Sequence, residues 1–280
     1  MIESSERKLP INARPRVRPK QLPKILVIDI ETAPIQALVW KIWEENVGID
    51  QIQQDSSIIS FGAKWLGDPK LIYLDTGGRG VDKVRDDLML MQPLWDLLNE
   101  ADILVAQNGQ AFDTKRINAR LIKHGFGPYS PVRQVDTLLT SKRLFKFTSN
   151  KLEWLAQQLT DVKKSKHHKF PGIELWLECL KDNADAWKEM KKYNLLDVIA
   201  CEKVYLKQLA WNDRHPNVGT YDWSLLTTCP RCGGHTLEAD GYSTLQAGVY
   251  VRYRCITCGA WARGKKMMVN KEARAVKLAS

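Results

Sequence analysis

The alternation of apolar and polar segments divides this chain into a first part with several strands and a second part that is mostly helical. Short apolar runs bounded by polar or turn-forming residues are typical of buried strands. Five segments have this pattern: residues 25–30, 58–65, 71–75, 102–107 and a short stretch around Val135. Gly67-Asp68-Pro69 is a turn signal between the second and third segments, so these two predict a β-hairpin.

Helical periodicity accounts for most of the remaining chain. It predicts a helical excursion around Trp40 and Trp43 within residues 33–56, and a helix over 82–99 that is interrupted near Pro93. Further helices are predicted over 111–124, 137–145, 150–160, 173–181 and 184–210. Strands that first alternate with helices and then give way to them predict an α/β fold, in which helices flank a mixed β-sheet.

The positive charge of the chain is concentrated at its two ends. The 280 residues carry a formal net charge of +10, to which residues 1–24 contribute +5 and residues 225–280 contribute +6, while the residues between them sum to −1. Basic ends on a neutral body favour a polyanionic partner such as nucleic acid, because phosphate contacts release counterions whatever the base sequence. The alternative is that the charge serves solubility alone.

Composition also predicts how the chain is divided. We expect a basic, disordered arm at 1–24, a main domain at 25–211, a linker at 212–224, a cysteine-containing module at 225–270 and a basic tail at 271–280. The basic run 163–169 is either a solvated loop or a contact for phosphates. Because no apolar run approaches the ~20 residues that cross a bilayer, we expect no membrane partner and a cytoplasmic location, or the host cytoplasm for a viral protein.

Two carboxylates lie at the C-terminal end of the first predicted strand. Asp29 and Glu31 are two residues apart, so in a strand their side chains point to the same face. The two charges repel each other and resist desolvation, and a divalent cation is the simplest group that offsets both effects. The alternative is that the strand frays here and that both carboxylates are solvated.

A third carboxylate, Asp113, follows the strand 102–107 and the turn Asn108-Gly109, near the start of a predicted helix. In α/β sheets, ligands gather outside the carboxyl ends of the strands, where such turns lie. A carboxylate is also favoured at a helix N-terminus, so Asp113 has a simpler alternative role as a helix cap.

The last long helix contributes a fourth acidic residue. At helical spacing, one stripe of this helix contains Met190, Tyr193, Asp197, Cys201 and Val204. A lone charge in such a stripe is costly without a partner, and Tyr193 lies one turn away from Asp197. The alternative is an aspartate at the rim of a core helix beside a packed tyrosine.

Taken together, these patterns resemble a known family. The motif D-x-E at Asp29 and Glu31, the motif N-G-x-x-F-D at 108–113 and the motif Y-x-x-x-D at Tyr193 and Asp197 are similar to those of the DEDD (DnaQ-like) 3′–5′ exonucleases, within the ribonuclease-H-like superfamily. Tyrosine at position 193 resembles the Tyr-type subclass. Asp136-Thr137 and residues 149–155 also resemble the segment between the second and third motifs, and the resemblance covers roughly residues 24–210.

The resemblance implies a two-metal phosphodiester hydrolase with a ribonuclease-H-like fold. Asp29, Glu31, Asp113 and Asp197 would hold two Mg²⁺ or Mn²⁺ ions, with Asp29 bridging them, because carboxylates are the hard oxygen ligands that these ions prefer. Tyr193 would orient the nucleophilic water. Thr32, Asn108 and Phe112 would contact the substrate, with Phe112 against the terminal base, and little sequence specificity is expected.

Four of the six cysteines form two Cys-x-x-Cys pairs. Cys229 and Cys232 are separated by 22 residues from Cys255 and Cys258, and Gly follows each pair. Four thiolates at this spacing are typical of a tetrahedral Zn²⁺ site, and residues 249–254 between the pairs predict a strand, so the module resembles a zinc ribbon with one structural Zn²⁺. The alternative, two disulfides, is disfavoured in a cytosolic protein.

The predicted ribbon mixes cations with aromatic residues, which suits a nucleic-acid surface. Docking to a replication or repair protein is the alternative for this module. For the whole chain the sequence predicts a metal-dependent 3′–5′ exonuclease acting on nucleic acid, with single-stranded DNA favoured over RNA. Two rivals remain open: an inactive nucleic-acid-binding or assembly protein on a nuclease fold, and an RNA-processing or endonucleolytic relative.

Overall fold

A computed structural model describes residues 22–41, 43, 46–162, 169–224, 226–246 and 248–276. The strands are β1 Ile25–Thr32, β2 Gln36–Ala37, β3 Ile52–Gln54, β4 Ile58–Trp65, β5 Leu71–Asp75, β6 Ile103–Ala106, β7 Arg133–Asp136, β8 Leu237–Leu245, β9 Gly248–Cys255 and β10 Trp261–Met267. The helices are α1 Leu88–Glu100, α2 Asp113–Lys123, α3 Thr137–Leu144, α4 Leu152–Leu159, α5 Glu174–Leu180, α6 Ala184–Gln208 and α7 Lys271–Ala275. Most of the predicted elements are therefore confirmed.

Five of the strands form one mixed sheet in the order β5-β4-β1-β6-β7. The pairs β1–β4 and β4–β5 are antiparallel, whereas β1–β6 and β6–β7 are parallel. Helices cover both faces of this sheet, so the predicted α/β fold with a flanked mixed sheet is confirmed.

The alternation of β1 decides which of its side chains face which helices. Leu26, Ile28 and Ile30 pack in the core on the side of α1 and α2. Ile25 and Val27 pack on the opposite side, with residues of α6. Because side chains alternate along a strand, the next residues on the α6 side are Asp29 and Glu31. The strand thus changes from apolar to acidic beneath α6.

The prediction of a helix around Trp40 and Trp43 is wrong for the described part of residues 33–56. Instead, β2 and β3 form a short antiparallel pair, and a 3-10 turn over Ile49–Gln51 precedes β3. Trp40 is 93% exposed and Trp43 is 89% exposed. An isolated helix needs a packed apolar face, and these side chains contribute none.

The helix predicted over 82–99 begins only at Leu88. Asp87 is fully buried, accepts a hydrogen bond from the Ile58 N–H (2.9 Å) and pairs with Arg120 (2.6 Å), which fixes the chain before the helix. The predicted interruption at Pro93 is also wrong, because Pro93 lies inside α1. Proline has no N–H to donate to the carbonyl oxygen of Met89. Met89 is exposed, so water can donate a hydrogen bond to this oxygen instead.

Several sequence predictions fall on residues outside the described ones. They are the basic arm up to residue 21, residues 163–168 of the basic run, and residues 277–280 of the basic tail. The first part of the tail, 271–275, forms the short helix α7. Among the described residues, every helix is too short or too polar to cross a membrane.

The segment that follows α6 is anchored by a buried histidine. His215 is 5% exposed, and its Nε2 lies 2.9 Å from the Tyr205 hydroxyl. Its Nδ1 lies 2.7 Å from the carbonyl oxygen of Pro216, so Nδ1 donates and Nε2 accepts. Burial lowers the pKa of His215 to about 4, and the imidazole is therefore neutral in the folded protein near pH 7.

This pKa predicts an acid-sensitive anchor. An unfolded histidine titrates near pH 6.5, so the unfolded chain binds the extra proton first and stability falls as pH drops from about 6.5 towards 4. Between pH 7 and pH 4.5, His215 alone should lower the free energy of unfolding by about 2–3 kcal/mol. Urea unfolding at both pH values should show a smaller pH effect for His215→Asn than for the parent. His235→Asn, at an exposed histidine, is the control and should keep the parental pH effect; equal effects in all three proteins would contradict this assignment.

Candidate active site

Three carboxylates from two elements meet at the end of β1. Oxygen atoms of Asp29, Glu31 and Asp197 all lie within 4.8 Å of one another. Asp29 and Glu31 are partly exposed, and Asp197, on α6, is buried. The apolar members of the predicted stripe, Met190, Cys201 and Val204, are also buried, so the face of α6 expected to pack inwards does so. Two motifs separated by more than 160 residues therefore share one site.

A glycine allows α6 to approach the sheet at this point. Gly62 of β4 lies directly opposite Asp29 in the β-ladder. A Cβ at position 62 would be 3.0 Å from Cγ2 of Val198 and 3.3 Å from the backbone oxygen of Asn194. A Cβ there would require its neighbours on α6 to shift by a few tenths of an ångström, and a bulkier side chain would require more. Gly62 thus allows the close approach of α6 that brings Asp197 towards the carboxylates of β1, a role that the sequence patterns did not reveal.

Asp113 lies beside the cluster but outside the group whose oxygens are all within 4.8 Å. It is the first residue of α2, it is 3% exposed, and its Oδ1 accepts a hydrogen bond from the Ile30 N–H at 3.1 Å. The carboxylate is therefore tied to β1 between Asp29 and Glu31. The charge of Asp113 also raises the pKa of Asp29, so the two groups are electrostatically connected.

Burial and the neighbouring acidic groups together raise the pKa of Asp29. Burial is the largest cause of the raised pKa of Asp29, followed by the charges of Glu31, Asp113 and Asp197. Burial likewise raises the pKa of Asp113 to about 7, against the lowering effect of the hydrogen bond from Ile30. Such a set of crowded carboxylates is unfavourable by itself and is stabilised by a cation. As a set of hard oxygen donors, it fits Mg²⁺ or Mn²⁺.

Tyr193 and Trp176 enclose the cluster on the helical side. The hydroxyl of Tyr193 donates a hydrogen bond to Asp197. Burial, together with the charges of Asp197, Glu31 and Asp29, raises the pKa of Tyr193 far above its usual value. Trp176 of α5 packs its ring edge-to-face with Tyr193, with centroids 5.7 Å apart, and its Nε1–H donates to Oε2 of Glu31 at 3.2 Å. Each of these two aromatic side chains thus holds one carboxylate.

The turn after β6 is held by Asp136, which lies at the end of β7. Its carboxylate accepts hydrogen bonds from the N–H groups of Asn108 (3.1 Å) and Gln110 (3.2 Å), and it also caps α3. Asn108 has φ of 64°, a left-handed conformation that asparagine tolerates better than most residues. A Cβ at Gly109 would lie 2.5 Å from that of Ala106, so this tight turn requires glycine.

The residues predicted to contact substrate lie around this turn and at the end of β1. Thr32 is the last residue of β1, where the ladder with β4 shifts register after Glu31. Asn108 is half-buried, and Phe112 is half-buried against the core cluster that contains Ile117 and Leu121. Arg116 lies over the Phe112 ring at 5.8 Å. Their contact with substrate remains a prediction.

A family model described as RNase_H superfamily matches residues 50–208, more than half of the chain. This chain belongs to the RNase H superfamily. The match begins after β1, so Asp29 and Glu31 lie outside it, whereas Asp113, Tyr193 and Asp197 lie within it. No match to the chain is found among curated proteins.

One similar solved structure is the family B DNA polymerase from the hyperthermophilic archaeon Pyrobaculum calidifontis. The two chains are 17% identical, with a TM-score of 0.44. The similarity covers 67% of this chain and 26% of the polymerase chain, so the chain spans about a quarter of that polymerase.

Beyond the segment that matches the RNase H superfamily, the structure contains a second cluster of candidate ligands. The sulfur atoms of Cys229, Cys232, Cys255 and Cys258 all lie within 4.8 Å of one another. Cys229 lies 3.7 Å from Cys258, and Cys232 lies 3.7 Å from Cys255. Bonded sulfurs are ~2.0 Å apart, whereas thiolates at the corners of a zinc tetrahedron are ~3.8 Å apart, so the cluster fits zinc and not two disulfides.

Backbone hydrogen bonds shape the first half of this cluster. The N–H of Arg231 donates to the sulfur of Cys229, and the N–H of Gly234 donates to that of Cys232, each at 3.4 Å. Such bonds favour the thiolate form that binds metal. The predicted strand 249–254 is confirmed as part of β9, the central strand of the sheet β10-β9-β8. The module is therefore consistent with a zinc ribbon.

In this member of the RNase H superfamily, Asn194 also belongs to the carboxylate site, although the sequence patterns did not indicate it. Its side chain is fully buried, and its Nδ2 donates to the backbone oxygen of Asp29 at 3.1 Å and to Oδ2 of Asp29 at 2.5 Å. Asn194 lowers the pKa of Asp29, which opposes the effect of the neighbouring acids. Its position one residue after Tyr193 was the only available signal.

Replacing Asn194 by alanine should weaken cation binding, because the Asp29 carboxylate would lose the donor that orients it. Loss of such a supporting hydrogen bond reduces metal affinity by about 10–100-fold. Titration calorimetry with Mn²⁺ measures this change. Gln208→Ala is the matched control, since it removes another buried amide of α6, bonded to Ser141 at 2.6 Å, from the far end of the helix. Equal Mn²⁺ affinities in the two variants would show that Asn194 serves stability alone.

Proposed function

We propose that this chain is a divalent-metal-dependent 3′–5′ exonuclease of the Tyr-type DEDD class, with single-stranded DNA as its preferred substrate. The observation that carries the proposal is the cluster of Asp29, Glu31 and Asp197, with oxygens within 4.8 Å. Asp113 and Tyr193 support it, because both interact electrostatically with members of the cluster. Membership of the RNase H superfamily supports phosphodiester chemistry.

Four carboxylates would hold the metal ions: Asp29, Glu31, Asp113 and Asp197. When bound, two Mg²⁺ or Mn²⁺ ions supply stabilisation of the charge on the leaving oxygen and make water a better nucleophile. Asp29 is the natural shared ligand, since its carboxylate lies within 4.8 Å of those of Glu31 and Asp197 and also interacts electrostatically with Asp113. Cys229, Cys232, Cys255 and Cys258 would hold one structural Zn²⁺.

The remaining residues position the reaction. In the hydrolysis, a water oxygen bonds to phosphorus while the bond from phosphorus to the 3′ oxygen of the preceding nucleotide breaks, which releases a nucleoside 5′-monophosphate. The raised pKa of Tyr193 keeps its hydroxyl protonated, so it would hold and orient the water and not act as a base. Trp176 keeps Glu31 in place, while Thr32, Asn108 and Phe112 would contact the 3′ end.

The test uses purified protein and 5′-labelled single strands of DNA and RNA with Mg²⁺ or Mn²⁺. We expect a ladder that shortens from the 3′ end, faster on DNA, and that disappears when divalent ions are withheld. A circular single strand is the matched control, because it has no 3′ end and should stay intact. Cutting of the circle would favour an endonuclease, and an absence of metal-dependent degradation of either polymer would overturn the proposal.

The division of the chain belongs to the same proposal. The family match ends at residue 208, and the cysteine cluster begins at Cys229. We therefore take residues 25–211 as the nuclease domain and 225–270 as a separate zinc module joined by the segment 212–224. Limited proteolysis that separates these two units is the expected result.

A further inference from the structure

The zinc module carries a face on which arginines and aromatic rings alternate between neighbouring strands. In the β9–β10 ladder, Trp261 lies opposite Arg254, and Arg263 lies opposite Arg252. Directly opposed residues share a face, and residues two apart along a strand share it too, so all four side chains and Tyr250 project to one side. This set, Tyr250, Arg252, Arg254, Trp261 and Arg263, is called the Arg–Trp face below.

The side chains of the Arg–Trp face are stacked on one another. The guanidinium of Arg252 lies 4.6 Å from the centroid of the Trp261 ring, and that of Arg254 lies 5.9 Å from it. The guanidinium of Arg263 lies 4.6 Å from the centroid of Tyr250. Trp261 remains 46% exposed despite this stacking. Stacking keeps the planar cations ordered while their N–H groups stay available to a ligand.

This arrangement is not one that stabilises a sheet. Like charges placed directly opposite each other, as Arg252 and Arg263 are, destabilise an antiparallel pair. Arg252 is partly neutralised by Asp240, whose Oδ1 lies 3.6 Å away. Arg254 lies directly opposite Glu238 in the β8–β9 ladder. Among the residues that the structure describes, no ion pair within 4.0 Å joins Arg254 or Arg263 to a carboxylate. The face thus carries three guanidiniums against two carboxylates, Asp240 and Glu238, beside the open ring of Trp261, while Tyr250 is only 9% exposed and supports Arg263. This excess of positive charge beside an exposed ring indicates an anionic ligand with flat groups.

A cleft adjoins the same strands. It has a volume of about 970 Å³ and lies between the segment that follows α6, including Asn217 and Thr228, and the ribbon, including Arg231, Trp261 and Lys265. This is the upper end of the size range of small-molecule pockets, about 300–1,000 Å³, so a nucleotide fits. The cleft continues the Arg–Trp face through Trp261, Arg252 and Arg263, which belong to both.

We propose that the Arg–Trp face and this cleft form a second binding site for single-stranded nucleic acid, separate from the carboxylate cluster. Guanidiniums bind phosphates through paired N–H groups, and the open part of Trp261 stacks on an unpaired base. A stacked base must be unpaired, so a single strand fits better than a duplex. An acidic polypeptide matches the cations, but its acidic side chains give the Trp261 ring nothing flat to stack on.

The position of the site predicts a length threshold. Tyr205 packs near Cys232, and Ala210 packs with Cys229 and Cys255, so the module sits at the C-terminal end of α6. With a rise of 1.5 Å per residue, the helix places this end roughly 15–20 Å from Asp197. At ~3.4 Å per nucleotide for a stacked strand, about five nucleotides cover the distance from Asp197 to this end of the helix alone, so a strand that reaches the Arg–Trp face must be longer. Longer strands would be held at both sites.

The test measures binding of labelled oligonucleotides of 4 and 20 nucleotides by fluorescence anisotropy, in the full chain carrying Asp29→Asn so that hydrolysis does not interfere. Arg254→Gln with Arg263→Gln should weaken binding of the 20-mer about 10-fold and reduce the salt slope by about 1.4, since two phosphate contacts are lost. Binding of the 4-mer should weaken less, because a 4-mer is too short to be held at both sites at once. Trp261→Ala should weaken 20-mer binding at least 5-fold without changing the salt slope, and Trp261→Phe should restore most of it.

The matched control is Lys271→Gln with Arg274→Gln in α7. It also removes two positive charges, but outside the Arg–Trp face. Equal effects of the two double variants would overturn the proposal, and so would displacement of the 20-mer by polyglutamate as effective as by unlabelled oligonucleotide. Zinc content confirms that each variant is folded. The proposal is independent of catalysis: a chain that binds 20-mers in this way but degrades nothing would refute the exonuclease proposal alone.

Discussion

Asp29→Asn should reduce the rate of strand shortening by about 10³-fold or more, while the protein becomes more stable without divalent ions. The loss of activity follows because Asp29 is the proposed shared ligand, and removal of a preorganised charge at the reacting centre costs at least about 10²–10³-fold. The gain in stability follows from the raised pKa of Asp29. A carboxyl whose pKa is higher in the folded state is destabilising when ionised, so the neutral amide relieves repulsion from Glu31, Asp113 and Asp197.

Two measurements check this prediction. Thermal unfolding should give a higher Tm for Asp29→Asn than for the parent in the absence of divalent ions, and Mn²⁺ should raise the Tm of the parent but not of the variant. A 5′-labelled strand measures the activity. Asp68→Asn, in the exposed β4–β5 turn, is the control and should resemble the parent in both. A variant that loses stability or still responds to Mn²⁺ would show that Asp29 does not belong to a metal site.

Cys255→Ser should remove zinc and unfold the ribbon while the five-stranded sheet stays folded. Binding of structural Zn²⁺ contributes about 10–16 kcal/mol in small zinc modules, which is more than such a module gains from its own core. The apolar cluster there consists largely of the cysteines themselves with Ala260 and Leu237, so little else stabilises it. We expect about one zinc per purified parent chain, and new proteolytic sites between residues 226 and 267 in the variant.

Cys179→Ser provides the control for this experiment. Cys179 is also a fully buried free cysteine, but it packs in a cluster with Trp187 and Met190 and not with the four cysteines of the ribbon. This variant should lose some stability and retain its zinc. Zinc levels in the parent far below one per chain, or a Cys255→Ser variant that still retains zinc, would contradict the assignment of the four cysteines.

The acidic residues were predicted from the sequence because local patterns carry them. Asp29 and Glu31 end an apolar strand, and Asp197 interrupts an apolar stripe of a helix, so each is conspicuous in its own element. Asn194, Trp176 and Gly62 carry no such signal. A buried asparagine, a tryptophan and a glycine occur in many ordinary packing positions, and only their distances from Asp29, Glu31 and Val198 reveal what they do.

The errors of sequence interpretation have a related origin. Around Trp40 and Trp43 the apolar side chains matched a helix, but the described residues form a short strand pair with both rings exposed. Near Asp87, a partner on a distant helix, Arg120, fixes the chain and delays the start of α1. Local periodicity does not include such long-range partners, so it misplaces elements whose boundaries depend on them.

The sequence by itself determined the types and order of the main elements, the candidate carboxylates and the four cysteines, because these depend on spacing along one strand, one helix or one turn. Only the tertiary structure decided how the carboxylates meet. It placed Asp29, Glu31 and Asp197 in one cluster, set Asp113 beside them through Ile30, and supplied Asn194 and Trp176 as supports. The physical reason is that repulsion, desolvation and hydrogen bonding act over a few ångströms in space, whatever the separation along the chain.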